Sequence, residues 1–409
     1  MVTHGSIVKL ILGDFICPSS IRLHHADFNS EKQIIEATEK ACNLTEEMYA
    51  SGIYPRMIVH RKFSKHNPKI KGEFAQPRAF RWYLLREMRR LLSSKADIEI
   101  VAKRPIIALN DPKLLEHMDE EEWDFTKKKL FLFGPERTDI SLDRLNHYTG
   151  THPQDFQRYI LFTNYSMHVQ IFLELYPDCV KPTRQGVQMP AYHHKLADNK
   201  GITLINIGVG PSNAKTITDH VCVLRPDAMI MVGHCGGFRS HQKIGDFVLA
   251  SSYYCDDRVL DVLFPIGNAV IPNYLLNLYL KEVLDSHNLN HRIGTVFTTA
   301  YRNWEFSAKD TVQKIHQSRS LAIDMESSTV ATNGFRYRVP HATLLSVSDK
   351  PLHGKPKLMA EAQKFYQNSK EMHLKLVIEA INKVKQNYPN GLPNTSIRAF
   401  NEPLMESGE

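Results

Sequence analysis

An α/β C-terminal domain preceded by a smaller α+β domain is the architecture that the sequence predicts, and three observations carry it. The chain has 409 residues, a length that suits two to three domains. From Ile202 to Gly233 a strand, a glycine turn, a helix and a second strand follow one another, the order of a βαβ unit with a right-handed crossover. Short β-branched apolar runs then alternate with helical patterns as far as Asp349, which suits a sheet covered by helices.

Each element has its own signal. Ser30 to Ala50 (SEKQIIEATEKACNLTEEMYA) predicts a helix with Ser30 as N-cap and Gly52 just past its end. Pro77 to Ser93 predicts a second, since Leu84, Leu85, Met88, Leu91 and Leu92 recur at helical spacing. Lys181 to Lys200 is rich in Pro, Gly and polar residues and marks a domain boundary, with domains expected at 1–185 and 186–409. Beyond it ITLINIG reads as a strand, SNAKTITDHVCVL as a helix capped by Ser212, and DAMIMVG as a strand followed by the loop HCGG. GDFVLAS, IGTVFTTA, SLAID and HATLLSVSD are further strands, and helices should begin near Met325 and near Leu358. Functional loops are expected where such strands end.

Composition removes several classes of function. Hydrophobic residues make up 42% and charged residues 23%, ordinary globular usage that excludes a disordered chain. The cysteines (Cys17, Cys42, Cys179, Cys222, Cys235, Cys255) form no C-x-x-C and follow no metal-ligand spacing, so a reducing compartment is expected. No apolar run approaches the roughly 18–20 residues of a membrane helix. The N-terminal run IVKLILGDFICPSS is broken by Lys9 and Asp14, a poor fit to a signal peptide. A cytoplasmic protein with no membrane partner is the expectation.

The formal charge of +7 is unevenly placed. Pro55 to Arg104 holds 14 basic residues against four acidic ones (Glu73, Glu87, Asp97, Glu99), and an acidic block, DPKLLEHMDEEEWD, follows. The pattern suits a solvated helix face offset by that block, or a grip on nucleotide phosphates. No DNA- or RNA-binding module is visible, so nucleic acid is not expected as a partner.

Four short motifs carry chemistry. GVGPSN (208–213) lacks the third glycine of a dinucleotide fingerprint and the Lys-Ser/Thr of a phosphate loop. What remains is a glycine turn that frees backbone amides for an anion or a polar oxygen, or a tight turn with no ligand. In GHCGG (233–237) His234 is either a base or a structural donor, while Cys235 has no partner that would make it a nucleophile. In AIDMESS (322–328) Asp324 can cap a helix, which frees Glu326 to accept hydrogen bonds from a diol. In LLSVSDKPLHG (344–354) Asp349 closes an apolar strand. A carboxyl at such an edge has a raised pKa and can donate a proton near neutrality, unless it merely caps the next turn.

Taken in order, NIGVGPSNAKT, GHCGG, RNWE, AIDMES, VSDKPLHG and FNEP, preceded by HYTGT (147–151) and LFTNY (161–165), resemble the nucleoside phosphorylase and nucleosidase superfamily. Within it they resemble the bacterial AMP nucleosidases. The resemblance implies a phosphorylase/hydrolase-like catalytic domain with a central mixed sheet, behind an N-terminal domain that regulates and helps to bind the substrate phosphate. It implies hydrolysis of AMP to adenine and ribose 5-phosphate in purine salvage; the alternative is a phosphorylase or nucleosidase for unphosphorylated purine nucleosides. Asp349 would be the general acid, Glu326 would hold the ribose hydroxyls and assist catalysis, and Met325 would pack under the sugar. Cys235, Gly236, Trp304 and Phe306 match base-pocket positions, and Asn164, Tyr165, Ser212, Asn213 and Arg302 are candidates for the 5′-phosphate. No metal or cofactor is implied, ATP (with magnesium) is the implied activator, phosphate the implied inhibitor and a homohexamer the implied assembly. Phosphorylases of this superfamily carry an Arg where this chain has Met231, which favours water over phosphate as the attacking group.

Overall fold

A computed structural model describes residues 8–12, 15–60, 69–118, 130–265, 267–358 and 372–393. The chain divides into two compact units, Met1–Arg144 and Leu145–Ile397. The expected boundary at 185 therefore falls inside the second unit. The reason is β6 (Tyr159–Thr163), a fully buried apolar run that lies within the second unit's sheet.

Among the described residues, the first unit is a five-stranded sheet in the order β1-β2-β5-β3-β4 with helices α1 and α2. Its strands are β1 (Val8–Leu12), β2 (Phe15–Leu23), β3 (Ile53–His60), β4 (Lys69–Glu73) and β5 (Asp97–Pro105), all paired antiparallel. Helix α1 (Glu31–Ala50) starts as its sequence predicts, with the Ser30 hydroxyl accepting from the Gln33 amide at 3.4 Å. It stops at Ser51, and Gly52 takes a φ of +80° beyond it. Helix α2 (Arg81–Ser93) follows a 3₁₀ turn at Pro77–Phe80 and buries Leu84, Met88, Leu91 and Leu92. It packs on α1 and β5, while α1 also packs on β2 and β3.

The basic stretch is balanced inside this unit. Arg81 pairs with Glu39 and Glu46 of α1, and Arg89 with Glu39 at 2.9 Å. Arg56 and Arg104 share Glu73, and Arg90 pairs with Glu87 at 3.0 Å. Long arginines on α2 thus find the glutamates that α1 presents one helix away. These partners come from α1, β4 and α2 itself and not from the acidic block that the sequence offers as counterweight, whose residues from 119 onward lie outside the described residues.

Among the described residues, the second unit holds an eight-stranded mixed sheet in the order β12-β11-β10-β13-β9-β6-β8-β7, with β12 also pairing with β9. After β6 come β7 (Ala191–His194), β8 (Ile202–Asn206), β9 (Ala228–Gly237), β10 (Phe247–Cys255), β11 (His291–Thr298), β12 (Ala322–Asp324) and β13 (His341–Asp349). Covering helices are α4 (Ser166–Leu175), α5 (Pro211–Val221), α6 (Tyr274–Ser286), α7 (Ala308–Gln317), α8 (Ser327–Arg336) and α9 (Met372–Asn387), while α3 (Pro135–Thr149) crosses the division between the units. The predicted strand–helix–strand unit is β8-α5-β9, but β6 lies between its two strands, parallel to both. A buried ion pair fixes the start of β6 beside that of β9: Arg158 Nε lies 2.7 Å from Asp227 Oδ2. The helix expected near Leu358 and the FNEP tail fall mostly outside the described residues.

One predicted loop is a strand. HCGG continues β9 and stays buried through Gly237. It first pairs with β13 and then, at Gly236 and Gly237, with Ile323 and Ala322 of β12. Glycine is usually a strand breaker, but here its missing side chain lets three strands crowd together.

Candidate active site

The carboxyl ends of β6, β8, β9, β12 and β13 meet at one place, and each delivers a polar group. At the end of β12 the Asp324 carboxylate accepts from Thr298 Oγ1 (2.6 Å) and from the Ser327 amide (2.9 Å), so it holds the first turn of α8. That leaves Glu326 for other work, as the sequence predicts. Its Oε1 accepts the Gly210 amide at 2.7 Å and its Oε2 accepts Asn164 Nδ2 at 3.2 Å. Burial, and then the neighbouring Asp324, push the Glu326 carboxyl up. Asn164 Oδ1 is buried and has no hydrogen-bond partner among the described residues. A carboxyl and an amide side by side, with acceptor capacity to spare, suit a pair of sugar hydroxyls.

The glycine turn explains how Glu326 is reached. Gly208 and Gly210 have φ of +68° and +112°, which only glycine adopts without strain, and this turns the Gly210 amide toward the carboxylate. Gly210, not Ser212, is the residue before α5. Ser212 sits exposed in the first helical turn and Asn213 is half-buried with its amide near Gly208.

Asp349 ends β13 beside a register shift. Val347 faces Cys235 and Asp349 faces Gly236, so Ser348 is the extra residue. Such bulges re-aim side chains next to active sites. Ser348 Oγ lies 2.5 Å from Asp349 Oδ1 and 3.3 Å from the Cys235 carbonyl oxygen. Burial raises the Asp349 pKa, while Ser348 and Lys357 oppose that rise and Glu305 adds to it. A carboxyl held this way keeps its proton to higher pH than a free one and can hand it to a leaving group. Gly236 makes room for it: a Cβ there would stand 3.3 Å from Asp349 Oδ2 and 3.0 Å from Ile323 Cγ2.

Cys235 is buried opposite Val347 of β13, and burial, then Asp349 and Asp324, push its thiol far up. A thiol held protonated in this way is a poor nucleophile. Burial keeps His234 neutral, well below the ordinary histidine range, and its ring lies 4.1 Å from that of Tyr165.

The remaining sequence-derived residues divide. Met325 is half-buried beside Glu326, and Asn164 and Tyr165 follow directly on β6. Trp304 packs into a cluster with Phe238, Phe297, Ile315 and Ile323, edge-on to Phe238 at 6.0 Å. Phe306 is 87% exposed and Arg302 is exposed on the same segment. Sequence reasoning misses Lys357, an exposed cation whose Nζ donates to Tyr165 Oη at 3.3 Å and lies 5.7 Å from that ring's centre. Its signal is present in HGKPK, a cation just past the Gly354 turn. It stays hidden because Tyr165 is remote in the chain.

Against known proteins, residues 159–382 match the model of the phosphorylase superfamily. An AMP nucleosidase of Escherichia coli K12 is 43% identical over 309 residues, covering 66% of this chain and 64% of that one. The chain thus matches somewhat less than two thirds of that relative's length. Among solved structures, an AMP nucleosidase from Bacteroides thetaiotaomicron superposes with a TM-score of 0.52 at 28% identity, over 61% of this chain and 99% of that one. A purine nucleoside phosphorylase from Toxoplasma gondii, in complex with immucillin-H, shares the fold, with a TM-score of 0.51 at 15% identity over 59% of this chain and 98% of that one.

Proposed function

The chain belongs to the phosphorylase superfamily, and from that premise we propose that it hydrolyses the N-glycosidic bond of AMP to adenine and ribose 5-phosphate. The observation that carries the reading is Asp349, a buried carboxyl with a raised pKa at a bulged strand end, with Gly236 kept bare against it. Bond cleavage leaves an electron-rich purine that needs a proton and a ribosyl cation that needs a nucleophile. Asp349 supplies the proton, and Glu326 with Asn164 holds the ribose hydroxyls in place for attack. Met231 is fully buried in β9 and offers no guanidinium to an inorganic phosphate, so water attacks. The activity named for the Escherichia coli and Bacteroides relatives supports this choice of bond.

The 5′-phosphate would lie against Tyr165 and Lys357, with Ser212 and Asn213 at the start of α5 as further donors. Lys357 takes the role expected of Arg302, because it brings a positive charge to a residue adjoining Asn164. All of these belong to the second unit, so the phosphate contact assigned to the N-terminal domain through LFTNY moves into the catalytic one. ATP activation and phosphate inhibition, a homohexamer and a cytoplasmic location complete the reading, and rest on resemblance. Each of Arg81, Arg86, Arg89 and Arg90 already has a carboxylate partner, so an anionic effector on α2 would displace a glutamate. No helix among the described residues is long and apolar enough to cross a membrane. The test is steady-state kinetics on AMP and adenosine. A kcat/KM clearly higher for AMP is expected, and a preference for adenosine would favour the nucleoside alternative.

A further inference from the structure

Behind the candidate active site three histidines from distant parts of the chain meet: His168 on α4, His234 on β9 and His373 at the start of α9. All are buried, and one ligand-capable atom from each lies within 4.8 Å of the others. The ring centres are 5.2 to 6.0 Å apart. We propose that His168, His234 and His373 form a binding site for a divalent zinc ion.

The hydrogen bonds at two of the rings, His373 and His168, are those a zinc site needs. His373 Nε2 donates to the Leu344 carbonyl at 2.9 Å. A neutral ring then carries its lone pair on Nδ1, which is buried with no hydrogen-bond partner among the described residues. His168 Nδ1 is engaged with Thr163 Oγ1 at 2.7 Å, so Nε2 is the nitrogen a metal would take. Backbone carbonyls and hydroxyls in this position fix the tautomer and aim the ligating nitrogen in known zinc sites. Burial pushes all three rings below the ordinary histidine range, His373 to about 4, and the neighbouring histidines add to the push on His168 and His234. Imidazole nitrogens without thiolates suit zinc, copper or nickel, and zinc accepts three histidines with an oxygen in fourth place. Tetrahedral ligation, with zinc–nitrogen bonds of about 2.0–2.1 Å, would draw the three nitrogens closer than 4.8 Å.

Such an ion has a structural consequence rather than a chemical one. It would tie α4, β9 and α9 together immediately behind Asn164–Tyr165 and Cys235–Gly236. The sequence reading expects no metal because it rests on ligands clustered in the chain; here sheet topology alone assembles them.

The test uses the full-length, untagged protein produced in zinc-supplemented medium and dialysed. Elemental analysis should find about one zinc per chain. Cobalt substitution should give the intense visible bands of a tetrahedral site, and chelation should lower the thermal midpoint. His168→Gln and His373→Gln should each weaken metal binding by about tenfold or more. X-ray absorption of the zinc-loaded wild type reads the ligand set even if those variants do not fold, and should count three imidazoles. Failure of the wild type to take up zinc or cobalt, fewer than three imidazoles, or unchanged affinity in both folded variants would overturn the proposal.

Discussion

Asp349 and Lys357 are the two side chains on which the proposed proton transfer and phosphate binding rest. If Asp349 delivers the proton, Asp349→Asn lowers turnover by about 10²–10⁴-fold while AMP binding is largely kept. The sign of its pH dependence follows from burial. The acid form is the working form and its pKa is raised, so wild-type turnover should hold on the acid side and fall as pH climbs through that raised value. The Asn variant should lack this alkaline limb, and a variant that keeps most of its turnover removes Asp349 from the role. Lys357→Met should raise the KM for AMP about tenfold, the scale of one charge-assisted bond, and leave that for adenosine nearly unchanged. Equal effects on both substrates would move the phosphate elsewhere, and Arg302→Ala would then be the variant to compare.

At the scale of elements, β9 does the positioning, and its glycines are the sensitive points. Gly236→Ala would place a methyl 3.0 Å from Ile323 Cγ2 and 3.3 Å from Asp349 Oδ2. Since Ile323 is packed in β12, Asp349 is the partner that yields. Turnover should drop by about 10²-fold, as for other misplaced catalytic groups, with the circular-dichroism spectrum unchanged. Normal turnover in a folded variant would show that the close approach is dispensable. The legibility of these elements in the sequence follows the same physics. HATLLSVSD is readable because an apolar run stopped by a carboxylate is the local pattern of a buried strand that ends at a polar edge. The helix at Ser30 is readable because its cap and glycine stop are local signals. HCGG reads as a loop because glycine's use in close strand packing depends on neighbours that the local sequence does not show. β6 falls on the wrong side of the expected boundary because parallel pairing is non-local, and the Pro- and Gly-rich stretch after it looks like a linker. Asn164, Gly210 and Glu326 each stand within a motif, but only the sheet order shows that they touch.

For the molecule as a whole, buried histidines set the response to acid. His193 sits between Thr151 and Thr203 hydroxyls at 2.9 Å, and burial lowers its pKa to about 3. Burial lowers that of His341 to about 4. Both fall below the unfolded value of roughly 6.5, so the unfolded chain takes up protons first as the pH drops. Their contribution to stability is complete above about pH 6.5 and is lost on acidification toward pH 4, at up to about 1.4 kcal/mol per pH unit for each ring. Urea midpoints should therefore fall between pH 7 and pH 5, and His341→Gln should flatten the slope; a midpoint independent of pH over that range would contradict it. The two-unit plan and the mixed sheet are expected from sequence; the division at Arg144 is not, because α3 runs through it without a break. The central claim is that this sheet carries a hydrolase for a nucleoside monophosphate, and one measurement addresses it directly. The protein is incubated with AMP in the presence of inorganic phosphate and the sugar product is identified by mass spectrometry. Free adenine with ribose 5-phosphate is the predicted result, whereas ribose 1,5-bisphosphate, or no release of adenine at all, would contradict it.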